Sequence, residues 1–165
     1  MTRPADPVWG AGPSGHRRSE ITVPIGHGDE DFARAAHDVL RWAVKTRSGF
    51  SVSTEDPVET GQLLVVTATV AGIAVREPVE VVDVVHERDR VGFAYRALPG
   101  HPVRGEEAFV VHREGDAVLL TIRSLTRPAA HGFWRAAFPL LLLAQRVARA
   151  RYVRALRAPR CGPPR

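Results

Sequence analysis

Between Gly28 and Lys45 the apolar residues Phe32, Ala36, Val39, Leu40 and Ala43 recur at the three- and four-residue steps of a helix. Asp29, Glu30 and Asp31 lead into that pattern, where acids favour the positive end of a helix, and Gly49 follows it. The spacing predicts one helix from Gly28 to about Lys45, with His37 and Trp42 off the centre of its stripe and in packed or solvated roles. From Phe50 to Leu125 the period shortens. Runs rich in Val, Thr and aromatics fall at Leu63–Val70, 79–85, 91–98, 108–112 and 117–124, separated by turn clusters such as HERDR and REGD. Phe50–Val52 and residues 20–24 bring the count to about seven strands. No helical segment intervenes, so neighbouring strands should pair antiparallel. Arg127-Pro128 then breaks the sheet, a short helical turn is expected at 133–137, and Pro139 suits the first position of a helix. In that helix Leu141, Ala144, Ala148, Tyr152 and Ala155 share one stripe. Arg146, Arg149 and Arg157 lie on another side, and Ala158-Pro159 ends it.

Strand, helix, six strands and a long terminal helix is the element order of the helix-grip, or START-like, fold, which this chain resembles. The resemblance implies an α+β domain: an antiparallel sheet of about seven strands packed on a long C-terminal helix, with one N-terminal helix and often a cavity between sheet and helix. Element order alone also fits another α+β sheet with helices on one face. At 165 residues the chain is one domain's worth and should bury about 70% of its unfolded surface. Residues 1–19, rich in Pro, Gly and Arg and without periodicity, are expected as a flexible arm, 20–157 as the domain, and 158–165 as a disordered Pro/Arg tail. Gly10, Gly12 and Gly15 have dinucleotide-fingerprint spacing, but no strand precedes them and Pro13-Ser14 opens no helix, so that reading fails.

Charge adds an asymmetry. Residues 1–122 hold 13 Lys plus Arg against 18 Asp plus Glu, whereas residues 123–165 hold ten Arg and no acid. Such a pattern can serve an acidic partner. Lys45 is the only lysine and there is no Asn, as expected of a sequence that writes Arg wherever a base is tolerated. Two opposite ends can also attract each other within one fold. Base-stacking aromatics are sparse near the arginines, so no specific nucleic-acid contact is expected. Cys161 is the only cysteine, which leaves no internal disulfide or cysteine-based zinc site. No apolar run reaches the roughly 20 residues of a membrane span, and the N-terminal stretch lacks the apolar core of a signal peptide. A cytoplasmic protein without a cofactor is the expectation.

The most informative stretch is GFAYRALPGHPVRGEEAFVV, residues 92–111. Phe93, Tyr95 and Ala97 share one strand face, and Ala94, Arg96 and Leu98 the other. Pro99, Gly100, Pro102 and Gly105 stiffen a loop that presents His101 and Arg104. Glu106 and Glu107 alternate on the next strand, with Phe109 and Val111 continuing the face of Glu107. An inward carboxylate must find donors or take a raised pKa, and Arg104, Arg127 and Tyr95 are the partners within reach. The expectation is therefore an inward Glu107 bonded to an arginine, a solvated Glu106, and His101 on the loop surface. This stretch, LTRP, QRVARARYVRAL and GHGDEDFARAAHDVLRW together resemble the uncharacterised domain-of-unknown-function family nineteen-ninety over nearly the whole ordered chain. The family pattern has a Gly after the Tyr and a Ser before the Arg-Pro, where this chain has Arg96 and Thr126. The family carries no established activity, so the resemblance implies a fold and little else.

Three function classes follow. The first is a protein that binds an apolar small molecule or lipid between sheet and C-terminal helix, with Tyr95, His101, Arg104, Glu107 and Arg127 at the polar end. The second is an enzyme in which Glu107 or His101 moves a proton beside Tyr95 or Arg127. No Ser-His-Asp, metal-ligand or phosphate-loop motif supports a particular reaction. The third is a basic interaction module using the arginines of the last helix. The first is the leading expectation, with oligomeric state open.

Overall fold

Period-two alternation leaves one side of each central strand apolar, and the strands bury that side together. The computed structural model describes residues 1–11, 14–54, 56–70, 72–128 and 138–158. The helical turn expected at 133–137 and the tail beyond 158 lie outside the described residues. In chain order come β1 (Arg17–His27), α1 (Gly28–Val39), α2 (Ala43–Thr46), β2 (Phe50–Val52), β3 (Leu63–Val70), β4 (Ile73–Glu87), β5 (Arg90–Ala97), β6 (Val103–Glu114), β7 (Ala117–Pro128) and α3 (Phe138–Leu156). The strands form one seven-stranded antiparallel sheet in the order β1-β7-β6-β5-β4-β3-β2. This is an α+β, helix-grip arrangement. Several strands outrun the apolar runs that announced them. Arg76 and Glu77 of β4, for example, pair with Thr67 and Val66 although neither is apolar, because the ladder joins main-chain groups whatever the side chain.

Val79, Val81, Phe93, Phe109, Val111, Leu120 and Ile122 carry the inner face. Phe32, Ala35 and Val39 of α1 and Tyr152 and Leu156 of α3 join them in one buried cluster. Trp42 packs edge-on against Phe93 at 4.7 Å between ring centroids. Among the described side chains of α3 only those of its C-terminal half enter this core, pinned where the Ala158 amide donates to the Ile25 carbonyl at 2.8 Å. The expected stripe therefore holds at Tyr152, while Ala144 is exposed and Leu156 is buried in its place.

Two expectations need correction. The helix after Gly28 does not run unbroken to Lys45. Trp42 takes a left-handed conformation (φ 59°, ψ 13°) that ends α1 and restarts the chain as α2. A non-glycine residue rarely occupies that region, and here the buried indole pins it there. Residues 1–11, within the stretch expected as a loose arm, lie on the outer face of the sheet, and β1 already begins at Arg17. Thr2 and Trp9 are buried. Arg123, its side chain 1% exposed, donates to Glu20 at 2.8 Å and to the carbonyls of Arg3 at 2.6 Å, Asp6 at 2.9 Å and Pro7 at 3.1 Å. Arg90 adds the carbonyls of Pro4 at 2.6 Å and Asp6 at 3.0 Å.

Candidate functional site

Tyr95 on β5 stands opposite Glu107 on β6, which stands opposite Ser124 on β7, all on the inner face. The Tyr95 hydroxyl donates to Glu107 Oε2 at 2.6 Å. Lys45 of α2 donates to the same oxygen at 2.9 Å and to the Tyr152 hydroxyl of α3 at 2.7 Å. The ammonium also lies 4.5 Å from the ring centre of Tyr152, 5.0 Å from Tyr95, 5.1 Å from Phe109 and 5.2 Å from Phe50. All four rings are within cation–π range. An ion pair thus sits inside an aromatic box, with the lysine side chain 2% exposed and the Glu107 side chain 14% exposed.

The electrostatics follow from that enclosure. Burial alone would push the Lys45 ammonium down, but Glu107 chiefly, together with Tyr152, Tyr95 and Glu77, outweighs it and holds the group well above its ordinary range. Burial would likewise raise the Glu107 carboxyl. The ammonium and the hydrogen bonds from Tyr95 and Lys45 win, and it titrates below the usual carboxylate range. Burial, reinforced by Glu107, keeps the Tyr95 phenol far above its ordinary value, and burial raises Tyr152 too. Glu77 of β4 is raised by burial. At neutral pH the site therefore holds the Lys45–Glu107 ion pair and two intact phenols.

His101 belongs to the same end of the sheet. Its ring is folded back rather than held at the loop surface, with the side chain 8% exposed. Its Nδ1 accepts the Val103 amide at 3.1 Å, and Nε2 lies 3.9 Å from Glu77. The Nδ1 acceptor role places the proton of the neutral ring on Nε2, towards Glu77. Burial, then the nearby ammonium, lowers its pKa to about 4. The loop that positions it closes through the His101 amide on the Leu98 carbonyl at 3.1 Å. Beyond it, Gly105 has φ 146°, and a Cβ there would meet the Leu125 carbonyl oxygen at 1.8 Å, so the strand passes β7 closely only because this residue is Gly.

The structure brings together Tyr95, Glu107 and His101, and not Arg104 or Arg127. Those two arginines stand opposite each other in the ladder, one residue out of phase with Gly105 and Thr126 on the face of Glu107. A period of two puts them on the outer side. The arginine expected to pair with Glu107 is replaced by Lys45. Glu106 points outward as alternation requires, but it is half-buried, because the Thr2 amide and hydroxyl bond its carboxylate. Arg96, which stands where the family pattern has Gly, also faces outward and pairs with Glu80 of β4 at 2.7 Å. Sequence reasoning missed Lys45, Tyr152 and Glu77. One signal was available: the box gathers the only lysine of the chain and both of its tyrosines.

No group of three or more His, Cys, Asp or Glu that could hold a metal ion occurs among the described residues. None of their helices is long and apolar enough to cross a membrane.

Sheet, terminal helix and a polar cluster at one end define a helix-grip protein, and comparison with solved structures agrees. An aromatase/cyclase from Streptomyces superposes with a TM-score of 0.65 at 18% identity, covering 86% of this chain and 91% of the other. A hypothetical protein from Helicobacter pylori gives 0.61 at 10% identity, over 84% and 83%. The protein Ara h 8.0201 gives 0.55 at 11% identity, over 86% and 99%. Likeness at these identities concerns the fold alone. The family model described as domain of unknown function (DUF1990) matches residues 5–155, and the chain belongs to that family. A UPF0548 protein of Deinococcus radiodurans is 48% identical over 73 residues, which span 44% of this chain and 36% of that relative.

Proposed function

We propose that this protein binds a small, largely apolar molecule between the inner face of the sheet and α3, with the ligand's head group against Glu107. One observation carries the reading. Glu107 receives both Tyr95 and Lys45 on Oε2, and among the described residues Oε1 has no hydrogen-bond partner, in a carboxylate that keeps some exposure. Apolar sites typically carry a few convergent polar groups that orient the ligand, and this cluster is polar at one end of an apolar face. Lys45 is the cation paired with Glu107, and the neighbouring His101 is neutral at pH 7. An acceptor oxygen left without a partner among the described residues suits a head group that donates hydrogen bonds, such as an alcohol, over the carboxylate of an acid. The fold supports the reading by analogy, since a neighbour of this architecture is an aromatase/cyclase.

Proton transfer by Glu107 or Tyr95 fits the site less well. A carboxylate held below its usual range is a weak base, and a phenol held above its own is a weak acid. The arginines of α3 support an interaction module less well too. Arg149 is turned onto Ser19 at 2.8 Å, while Arg146 and Arg154 are exposed on different turns.

The test is native mass spectrometry of freshly purified protein, followed by melting scans with apolar alcohols and the matching carboxylic acids. At about 100 times its Kd a ligand adds about 2.7 kcal/mol. That raises the melting temperature by about 5–10 °C in a domain of this size. An alcohol that does so, and loses its effect in Glu107→Gln, is the expected result. No retained molecule and no shift from any alcohol, or equal shifts with and without Glu107, overturns the reading.

A further inference from the structure

A second site lies elsewhere. α1, the β4–β5 turn and Pro57 enclose an open groove of about 660 Å³, within the range of small-molecule sites. Phe32, Ala36, Leu40 and Val91 form an apolar floor. It borders the turn between β4 and β5, whereas the Lys45 box lies towards the β5–β6 loop at the other end of β5.

Two arginines and two histidines stand on the rim of this groove: His37 and Arg41 one helical turn apart, facing His86 and Arg88 from the turn, with Glu87 as the single acid among the described lining residues. Among the described residues neither Arg41 nor Arg88 pairs with a carboxylate, although Glu87 lies beside them in the lining. Arg41 is nonetheless held in place, since its Nε donates to His37 Nε2 at 3.0 Å. That bond engages Nε and leaves the two terminal nitrogens of the guanidinium for another acceptor. A guanidinium presents its donors in a fixed fork that matches carboxylate, sulfonate and phosphate oxygens. Two of them without carboxylate partners among the described residues, beside an apolar floor, describe the complement of a molecule with an apolar body and an anionic end.

We propose that the α1/β4–β5 groove is a binding site for a small apolar anion, its body on Phe32, Ala36, Leu40 and Val91 and its charged group between Arg41 and Arg88. The preference is opposite to that of the Glu107 site, where Oε1, without a partner among the described residues, favours a donor. The two proposals therefore fail separately.

Three probes with one naphthalene body separate the head groups: 2-naphthoate, 2-naphthol and 2-naphthylmethylammonium. Each is titrated into the full chain at pH 7 and followed by amide chemical shifts. The expected result is that naphthoate moves the amides of 33–41 and 86–91 and binds about tenfold more tightly than naphthol, with the ammonium weakest. The double variant Arg41→Glu/Arg88→Glu should lower naphthoate affinity by about tenfold and reverse the order of the two charged probes, with naphthol changed by less than about twofold. Both positions are exposed, so the fold should survive, and unchanged amide shifts outside the groove would confirm it. Ala33→Trp, which places a bulky ring on an exposed lining position, should weaken all three probes together. Equal affinity for the three, an unchanged order in the charge-reversed variant, or shifts centred on Tyr95 and Glu107 would overturn the proposal.

Discussion

The sheet buries cations on both faces and satisfies them in different ways. On the inner face Lys45 meets a carboxylate, a phenol and four aromatic rings. On the outer face Arg123 meets one carboxylate and a row of main-chain carbonyls from the first residues of the chain. The inner solution is closed: if either partner leaves, the other stays in the core with its charge. The outer solution is open, because residues 1–11 can lift away and both guanidinium and carbonyls then reach water. Burial of a charge is therefore far more binding on the structure at Lys45 than at Arg123.

The largest effect should come from breaking the inner pair. Lys45→Met leaves the Glu107 carboxylate buried without its cation and should cost about 3–5 kcal/mol in denaturant unfolding. That corresponds to a melting temperature lower by about 6–20 °C. Lys45→Met/Glu107→Met should recover much of the loss, since two apolar side chains of similar length strand no charge. A double variant as unstable as the sum of the singles would show that Lys45 and Glu107 do not act as a pair.

His101 offers a pH test at the same end of the sheet. Its folded pKa of about 4 lies below the ordinary 6.5, so the unfolded chain takes up the proton first. Stability should be level above about pH 6.5, fall as pH drops from about 6.5 to about 4, by up to about 3 kcal/mol, and level off for this group below that. Glu107, lowered in the folded state, adds a further loss that begins below its ordinary 4.5, as pH falls towards its folded value. His101→Gln should shrink the upper limb to the part that His112, also lowered by burial, contributes, and keep the lower one. A wild-type profile already flat between pH 5 and 6.5 would place the ring in water.

On the outer face Arg123→Met should cost less, about 2 kcal/mol, in line with the loss of hydrogen bonds to a charged group whose partners can rehydrate. Cleavage by protease within residues 1–11 should rise at the same time. Removal of those residues should cost a similar amount, and the two changes together should cost little more than either, because both release the same contacts. Full additivity would mean that Arg123 and the first residues stabilise the sheet independently. The smallest effect belongs to Arg96→Ala. It breaks an exposed pair with Glu80 and should change stability by about 0.2–1 kcal/mol, with no change in the His101 limb.

The β architecture was legible from the sequence because alternation is a local property. One face of each strand must be apolar, and the same rule that set Phe109 and Val111 inward set Glu107 with them and Glu106 against them. It could equally have placed Arg104 and Arg127, one step out of phase with Gly105 and Thr126, on the other face. Their expected role at the site ranked charge attraction above strand phase, and phase won.

Lys45 could not be reached in that way. A helix extended unbroken from Phe32 through Val39 would turn position 45 away from its apolar stripe, since each residue advances by about 100°. A single left-handed residue at Trp42 resets the phase, and Ala43, Val44 and Lys45 all become buried. Nothing in a local pattern reports such a reset, which depends on the indole finding room against Phe93 and Tyr95. The docking of residues 1–11 was invisible for a related reason. Most of its bonds run from arginine side chains to carbonyls, and every residue carries a carbonyl.

The amino-acid sequence by itself determined the order of elements, the antiparallel sheet and the inward turn of Tyr95 and Glu107, because spacing along one chain decides which side of a strand a residue occupies. Only the tertiary structure decided who stands opposite them. Lys45 from α2 and Tyr152 from α3 lie 62 and 45 residues from Glu107 along the chain. They meet it because the core excludes water and a buried carboxylate must take the donors that packing delivers.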